Sequence, residues 1–397
     1  RMDHRPPAGL PARDGPADGS AMESYLNAEI SESAIRANLR LLRGLLAPGC
    51  KLCSVVKADC YGHGLSTLLG LLEELSDVLA VATPEEAIRL RDLGYQRPIL
   101  QFFSACAYAD GQELRDALDE LVARGVTLTV VNQAEVDVVA ESARRLGAAA
   151  HVHVKIDSGM NRSGVPAERA GELVARLRSS PHVKLEGLYT HFAAADETDK
   201  TCVHEQFARF QAAVASCGGP AGLTLHVANS AATIDLPQYH LDMVRPGIAL
   251  YGYQPSDQLT RRLPLRPALR LTGRLMQTKT VPAGSRCGYG LSHTFDRDAR
   301  LGLVPVGYGD GYFRCLSNQA VMRVRGRCAP IRGKVSMDQI IIDLTDAPDA
   351  QVGDEVEIFS NDPAAPNSVE TLARQAGTIP YELTCRLGRR VRRHLVP

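Results

Sequence analysis

Residues 54–64 read SVVKADCYGHG, so a lysine ends a short apolar segment and a tyrosine flanked by glycines follows it. Lysine is seldom fully buried unless another group pairs with it. When an ammonium group loses its water its pKa falls, and the neutral amine can act as a nucleophile or form an imine with an aldehyde. A lysine that ends a strand and extends into solvent fits the same pattern, and these residues alone favour that simpler interpretation.

Polar residues of the types that bind a phosphorylated aldehyde occur at the ends of other apolar segments. They are Arg162, His191, Ser230 and Arg245. A serine with nearby backbone amides can hold a phosphate, and arginines with a histidine can set the charge on a conjugated ring. Singly, each has a structural alternative, since Arg245 could form a surface ion pair and His191 could be a hydrogen-bonded core histidine. With Lys57, however, they mark five candidate strand ends, which favours a shared site.

The elements that would position these residues form an alternating pattern from about residue 25. Eight short apolar segments lie at 52–56, 78–82, 98–103, 126–131, 150–156, 185–192, 223–229 and 243–252. Apolar residues recur at helical spacing between them, for example in 32–46, 84–94, 133–147 and 205–217. Eight strands that alternate with helices predict an α/β fold with a (β/α)8 TIM-type barrel, whose functional residues lie at the strand ends. A doubly wound sheet is the alternative, but it usually has fewer strands and a glycine-rich first turn that we do not find.

The pattern changes after about residue 263. Strand-like segments separated by Gly, Pro and Asp turns predominate there, and one helical segment occurs at 368–377. The sequence therefore predicts a C-terminal, mostly antiparallel β domain over 263–397, after a barrel domain over 23–262. Residues 1–22 are rich in Pro, Gly, Ala and Asp, and we interpret them as a linker or a cloning remnant.

Composition excludes several classes of function. The 397 residues contain 45 Lys and Arg against 45 Asp and Glu, so the formal net charge is zero and neither nucleic acid nor a membrane is an expected partner. The ten cysteines show no regular spacing, which is typical of reduced thiols in a cytoplasmic protein. Cys50 and Cys53 form a lone CxxC motif, which is weak evidence for zinc, so we expect no metal site.

Nine sequence blocks resemble, in the same order, those of the bacterial alanine racemase family. The blocks are VVKADCYGHG, KIDSGMNRSG, YTHFAAAD, HVANSAAT, MVRPGIALYG, CGYGLSHTF, VPVGYGDGY, VSMDQ and IPYELTCRL. The resemblance covers nearly everything from residue 25 onward, and it implies the barrel and C-terminal β domain of that family. It also implies an isomerase that interconverts L- and D-alanine with pyridoxal 5′-phosphate (PLP), as a cytoplasmic homodimer that supplies D-alanine for peptidoglycan.

The resemblance further implies roles for individual residues. Lys57 would form the imine with the cofactor and act as one catalytic base, while Tyr289 of the partner subunit would be the second base. The cofactor would be bound by Lys57, Tyr61, Arg162, His191, Ser230, Arg245, Gly247, Ile248 and Tyr381. Arg245 would face the pyridine nitrogen, with His191 supporting it.

Further implied roles concern the substrate and the route to the site. Arg162 would contact the substrate carboxylate together with Met337 and Asp338, which would also come from the partner subunit. Lys155 matches a lysine that is carbamylated in some members of the family. Tyr308 and Tyr381 would line the entrance.

Small departures from the family pattern leave other substrates open. KADCYGHG stands where KANAYGHG is more common, and GYGDG replaces GYADG, yet no catalytic group is lost. A methylene or hydroxyl is worth only about 1–3 kcal/mol of discrimination, so a serine or broad-specificity racemase remains the alternative enzyme. A PLP-binding homeostasis protein or a decarboxylase on the same barrel is less favoured. The homeostasis protein, as a lone barrel, would lack the domain that carries Tyr289.

Overall fold

The computed structural model describes residues 25–105 and 111–397. Its strands are β1 (Leu26–Ser31), β2 (Lys51–Val55), β3 (Val78–Val81), β4 (Ile99–Ser104), β5 (Thr127–Val130), β6 (Ala150–Asp157), β7 (Val165–Pro166), β8 (Val183–Tyr189), β9 (Thr224–His226), β10 (Met243–Val244), β11 (Leu269–Arg274), β12 (Gln277–Val281), β13 (Arg286–Cys287), β14 (His293–Thr294), β15 (Ala299–Val304), β16 (Val321–Val324), β17 (Arg327–Pro330), β18 (Ile340–Asp343), β19 (Glu355–Phe359) and β20 (Arg392–Val396). Its regular α-helices are α1 (Glu32–Arg43), α2 (Leu65–Leu75), α3 (Pro84–Asp92), α4 (Gln112–Ala123), α5 (Gln133–Leu146), α6 (Ala170–Arg178), α7 (Thr201–Ser216), α8 (Ser230–Asp235), α9 (Val369–Ala376) and α10 (Pro380–Cys385).

Eight parallel strands form a nearly closed barrel. The pairing runs β10-β2-β3-β4-β5-β6-β8-β9, and β7 pairs with β6 at its edge. Between β9 and β10 the backbone of Asp242 donates to Leu225 O over 3.1 Å, and that of Arg245 donates to Ala228 O over 2.8 Å. Each of the eight predicted apolar segments overlaps one of these strands, so the predicted barrel is confirmed.

Local sequence signals explain where several barrel helices begin. The Ser31 side chain accepts a hydrogen bond from Ala34 N at the start of α1, and Asn132 caps α5 in the same way. Thr83 and Glu86 form a reciprocal capping box at the start of α3. Strand β3, between α2 and α3, is buried at all of its positions, as is usual for a parallel sheet covered by helices.

The second part of the fold is mostly antiparallel and is built on a six-stranded sheet. Its strand order is β17-β16-β19-β11-β1-β20. A separate three-stranded sheet has the order β12-β15-β18. β1 pairs antiparallel with β11 and parallel with β20, the last strand. Strand β1 therefore belongs to the C-terminal sheet, although the barrel range predicted from the sequence, 23–262, included it. The limits of the domains stay a prediction, and residues 1–22 lie outside the described residues.

Two further findings concern the cysteines and the helices of the described residues. Over 25–105 and 111–397, the cysteines are all free. In the same ranges no helix combines the length and the apolar character that crossing a membrane requires.

The C-terminal domain packs on the segment that follows Lys57. Arg393 of β20 donates from Nε to Gly62 O over 3.1 Å, and its other nitrogens donate to carbonyls of the 387–391 loop. Gly62 has a φ of +82°, and a Cβ there would lie 1.9 Å from the Thr384 carbonyl oxygen. Only glycine therefore allows this close approach.

We predict that Gly62→Ala destabilises the protein far more than Gly49→Ala. Gly49 has a similar φ of +90° but nothing within 4 Å of the added Cβ, so the two variants share the cost of positive φ and differ in the clash. The clash is expected to add about 1–3 kcal/mol of destabilisation, measured as a lower thermal unfolding midpoint. Equal midpoints for the two variants would contradict the close packing of the domains at Gly62.

Candidate active site

The predicted site residues from the barrel, with Tyr381 of α10, come together at the carboxyl ends of the barrel strands. A cavity of about 880 Å³ opens there. The site residues that line it are Lys57, Tyr61, Lys155, Arg162, His191, Ser230, Arg245, Gly247, Ile248 and Tyr381. Their roles stay predictions, but their convergence in one cavity is what a shared site requires.

Lys57 is held by an unusual left-handed turn. Ala58, Asp59, Cys60 and Tyr61 all have φ between 52° and 56°, a conformation that costs about 1–2 kcal/mol per residue for side chains with a Cβ. Backbone hydrogen bonds from Cys60 N to Val56 O and from Gly62 N to Ala58 O, both 2.9 Å long, run through the turn. Such strain persists only where the surroundings hold it in place.

Two carboxylates brace this turn. Glu86 Oε1 accepts from Ala58 N over 2.6 Å, while its Oε2 accepts from Ala82 N and Thr83 N at the start of α3. Asp59 Oδ1 accepts from Leu65 N over 2.8 Å at the start of α2. The helix-capping Glu86 thus also fixes the peptide that follows Lys57, a role that the sequence analysis missed because Glu86 has the pattern of an ordinary capping residue.

A small polar cradle forms where Tyr61 of this turn meets Ser230 and Gly247. Ser230 Oγ accepts from Gly247 N over 2.8 Å. A Cβ on Gly247 would lie 2.3 Å from the Tyr61 hydroxyl oxygen, so glycine is needed to bring these groups together. The Tyr381 ring lies 6.0 Å from that of Tyr61. Hydroxyl groups and backbone amides gathered in this way suit a phosphate-sized anion.

Arg245 is almost fully buried, with 3% of its surface exposed, and is held by several acceptors. Nη1 lies 2.8 Å from His226 Nδ1, and Nη2 donates to Thr190 O over 2.8 Å. His191 Nδ1 is farther from Nη2, at 3.4 Å. His226 therefore lies closer to Arg245 than His191 does, and its contact was not predicted from the sequence; the support of Arg245 by His191 stays a prediction. A polar residue within the apolar segment 223–229 was the available signal.

The cavity is strongly cationic. Burial, and then the nearby Arg162, lower the pKa of Lys57. Burial with Arg162 and Arg245 lowers the pKa of Lys155 to about 8, and burial with the surrounding cations holds the pKa of His191 well below its usual value. An anionic ligand would relieve this concentration of positive charge.

The remaining predicted site residues lie on the C-terminal domain and do not line this cavity. Tyr289 is 70% exposed, and Met337 and Tyr308 are also exposed. Tyr308 and Met337 adjoin each other, because Gly309 N donates to Met337 O over 2.9 Å. Asp338 accepts from Arg390 Nη1 over 2.7 Å. Within one chain, then, these residues are not among those that line the cavity with Lys57.

Comparison with known proteins agrees with this division into a barrel and a second domain. The model of the alanine racemase N-terminal domain matches residues 30–255, and that of the C-terminal domain matches residues 268–395. The chain belongs to the alanine racemase family. An alanine racemase of Desulfovibrio desulfuricans is 40% identical over 370 residues, which cover 92% of this chain and 96% of that protein.

Solved alanine racemase structures share the fold. That of Clostridium difficile superposes with a TM-score of 0.87 at 36% identity, covering 95% of this chain and 98% of the other. The alanine racemase structure of Streptomyces coelicolor superposes with a TM-score of 0.85 at 34% identity, covering 94% of this chain and 98% of the other. Membership of the alanine racemase family makes the chain an amino-acid racemase, which is an isomerase.

For this alanine racemase family member we predict that Glu86→Gln slows racemisation. The amide places an N–H₂ group against backbone donors, so the turn that carries Lys57 loses an acceptor, and we expect about a tenfold fall in rate. Glu85→Gln is the matched control, since it removes the same charge from the exposed side of α3. A chiral assay of alanine turnover that gives equal rates for the two variants would contradict the bracing role of Glu86.

Proposed function

We propose that this chain interconverts L- and D-alanine with PLP bound in the barrel cavity, by a two-base mechanism shared between two subunits. The observation that carries the proposal is the convergence of Lys57, the polar cradle and the buried Arg245 in one cationic cavity. Family membership supports alanine as substrate, while the cofactor, the bases and the dimer belong to the proposal. Supply of D-alanine for peptidoglycan, in the cytoplasm, is the cellular role that fits such an enzyme.

The residues present fit PLP. Ser230, Tyr61 and the backbone at Gly247 and Ile248 would hold its phosphate in the cradle, and Tyr381 would close one side. Arg162 and His191 would lie along the ring. When bound, PLP supplies an aldehyde that reacts with amines and a conjugated ring that stabilises negative charge at the substrate α-carbon.

Two bases are needed because a proton must leave one face of the α-carbon and another must arrive on the opposite face. Lys57 serves one face, and burial together with the nearby Arg162 lowers its pKa, which favours the neutral amine that a base requires. Tyr289 of the partner subunit serves the other face. Its high exposure on its own chain leaves the phenol available to a second copy.

Arg245 supplies charge without supplying a proton. A guanidinium only donates hydrogen bonds and does not deprotonate in proteins, so Arg245 would leave a ring nitrogen that faces it unprotonated. Arg245 would thereby make a bound ring a weaker electron acceptor than a carboxylate at the same place would. A weaker acceptor would favour return of the proton to the α-carbon over side reactions.

The substrate carboxylate would be bound by Arg162 together with Met337 and Asp338 of the partner subunit. Within this chain Asp338 is held by Arg390, which also lies 2.8 Å from Asp310. Activity on serine or other small amino acids is the second candidate function, because the cavity of about 880 Å³ is large and one hydroxyl is worth only about 1–3 kcal/mol of discrimination.

We predict that bicarbonate activates the enzyme through Lys155, and more strongly at pH 9 than at pH 7. Carbamylation requires the neutral amine, and with a pKa of about 8 roughly a tenth of Lys155 is neutral at pH 7 but about nine-tenths at pH 9. The carbamate would add a negative charge beside Arg162 and hold it in place. ¹³C-bicarbonate labelling followed by NMR should show a carbamate signal that Lys155→Gln abolishes, while Lys184→Gln, a change of an exposed lysine, keeps it. A signal that survives Lys155→Gln would refute the assignment.

We also predict that mixed dimers restore activity to two inactive chains. Lys57→Ala and Tyr289→Phe chains each lack one base, yet their heterodimer contains one complete site. Random reassembly of equal amounts should therefore return about a quarter of wild-type activity. Mixing Lys57→Ala with the double variant is the control and should stay inactive. Isolated heterodimers without activity would rule out a site shared between subunits.

A further inference from the structure

A second cavity lies at the other end of the barrel. Its volume is about 330 Å³, and its walls include the first residues of several strands, namely Lys51, Val78, Thr127 and Thr224. His153 of β6 also lines it. The side chain of this histidine is 7% exposed and reaches from this cavity into the barrel core.

His153 is connected to the candidate active site through two hydrogen bonds. Its Nδ1 lies 2.8 Å from His226 Nε2, and His226 Nδ1 lies 2.8 Å from Arg245 Nη1. His226 is fully buried, and its ring stacks on that of Tyr189 with 4.7 Å between centroids. A continuous chain of three side chains therefore joins the two ends of the barrel.

The donors and acceptors available to these three side chains determine which histidine nitrogens carry protons. Arginine has no acceptor, so His226 Nδ1 must present a lone pair to it. The neutral ring of His226 then carries its proton on Nε2, which donates to His153 Nδ1. His153 in turn carries its own proton on Nε2.

The surroundings keep both rings neutral. Burial lowers the pKa of His153 to about 4, with Glu186 opposing the shift while Lys51 and Arg245 add to it. Burial, Arg245 and His153 hold the pKa of His226 well below its usual value. Near pH 7, each histidine therefore takes part in these hydrogen bonds as a neutral ring.

The fold makes specific room for His153. Gly187 lies opposite it on β8, and a Cβ at that position would come within 2.7 Å of His153 Cε1 and 2.8 Å of Nδ1. The pairing of β6 with β8 is irregular between Val152 and His153. The ring is thus held in position by its neighbouring strand.

We propose that His153 is a positioning residue: by accepting the Nε2 proton of His226, it fixes the tautomer that offers a lone pair to Arg245. Without that acceptor, the buried His226 can place its proton on Nδ1 and direct an N–H group at the guanidinium. Arg245 would then lose its shortest side-chain contact. The consequence for catalysis rests on the proposed function, in which Arg245 faces the cofactor ring.

The direct test measures the tautomers in the full-length, PLP-loaded protein. In ¹⁵N-histidine-labelled protein at pH 7, we expect two-bond ¹H–¹⁵N spectra to show both His153 and His226 neutral with protons on Nε2. A proton on His226 Nδ1, or a cationic His226, would overturn the proposal. This measurement needs no turnover, so it tests the tautomers whether or not the chain racemises alanine with PLP.

Variants test the catalytic consequence. His153→Leu removes the acceptor and should lower kcat about tenfold. KM should change little, because the contact that is weakened, between His226 and Arg245, positions the cofactor ring rather than the substrate. His153→Asn places an amide oxygen near the Nδ1 position and should recover most of kcat and restore the His226 signal. His151→Asn, on the same strand but bonded to Glu186, is the control and should match the wild type. Equal kcat for His153→Leu and wild type, or an Asn variant no better than Leu, would overturn the positioning role.

Discussion

The left-handed turn that follows Lys57 is the constraint on which the rest of the site depends. Four consecutive residues other than glycine have positive φ there. The conformational free energy that this costs has to be offset by contacts with the surrounding structure. Glu86 from the barrel and Arg393 from the last strand bond its two ends, and the absence of a side chain at Gly62 lets the second domain approach. The position of one amine is thus determined jointly by both parts of the fold.

Charge is distributed unevenly along the barrel axis, and this division organises the chemistry. Lys57, Lys155, Arg162 and Arg245 gather at the carboxyl ends of the strands. Behind Arg245 the core contains the buried histidines His226 and His153 rather than carboxylates. A neutral acceptor holds the guanidinium in place without cancelling its charge, so the field in the cavity stays positive and selects anionic ligands.

Much of the fold could be predicted because its signals are local. Each apolar segment of the barrel overlapped a strand, and the residues before α1 and α5, Ser31 and Asn132, were recognisable capping residues. Polar residues at strand ends identified the cavity as well. The contacts that were missed join distant segments: β1 pairs with β20, and Glu86 reaches Ala58 only because α3 follows the adjoining strand. His226 was missed because a polar residue inside an apolar segment has no distinctive spacing.

The pairing of β1 with β20 also sets an order for biosynthesis. Asn27 and Arg392 are register partners although the whole barrel is made between them, and Arg393 contributes a bond to Gly62. A chain that still lacks β20 has no Arg393 to bond Gly62, so the lysine turn obtains all of its supporting contacts only after the last strand has been made and has paired with the first.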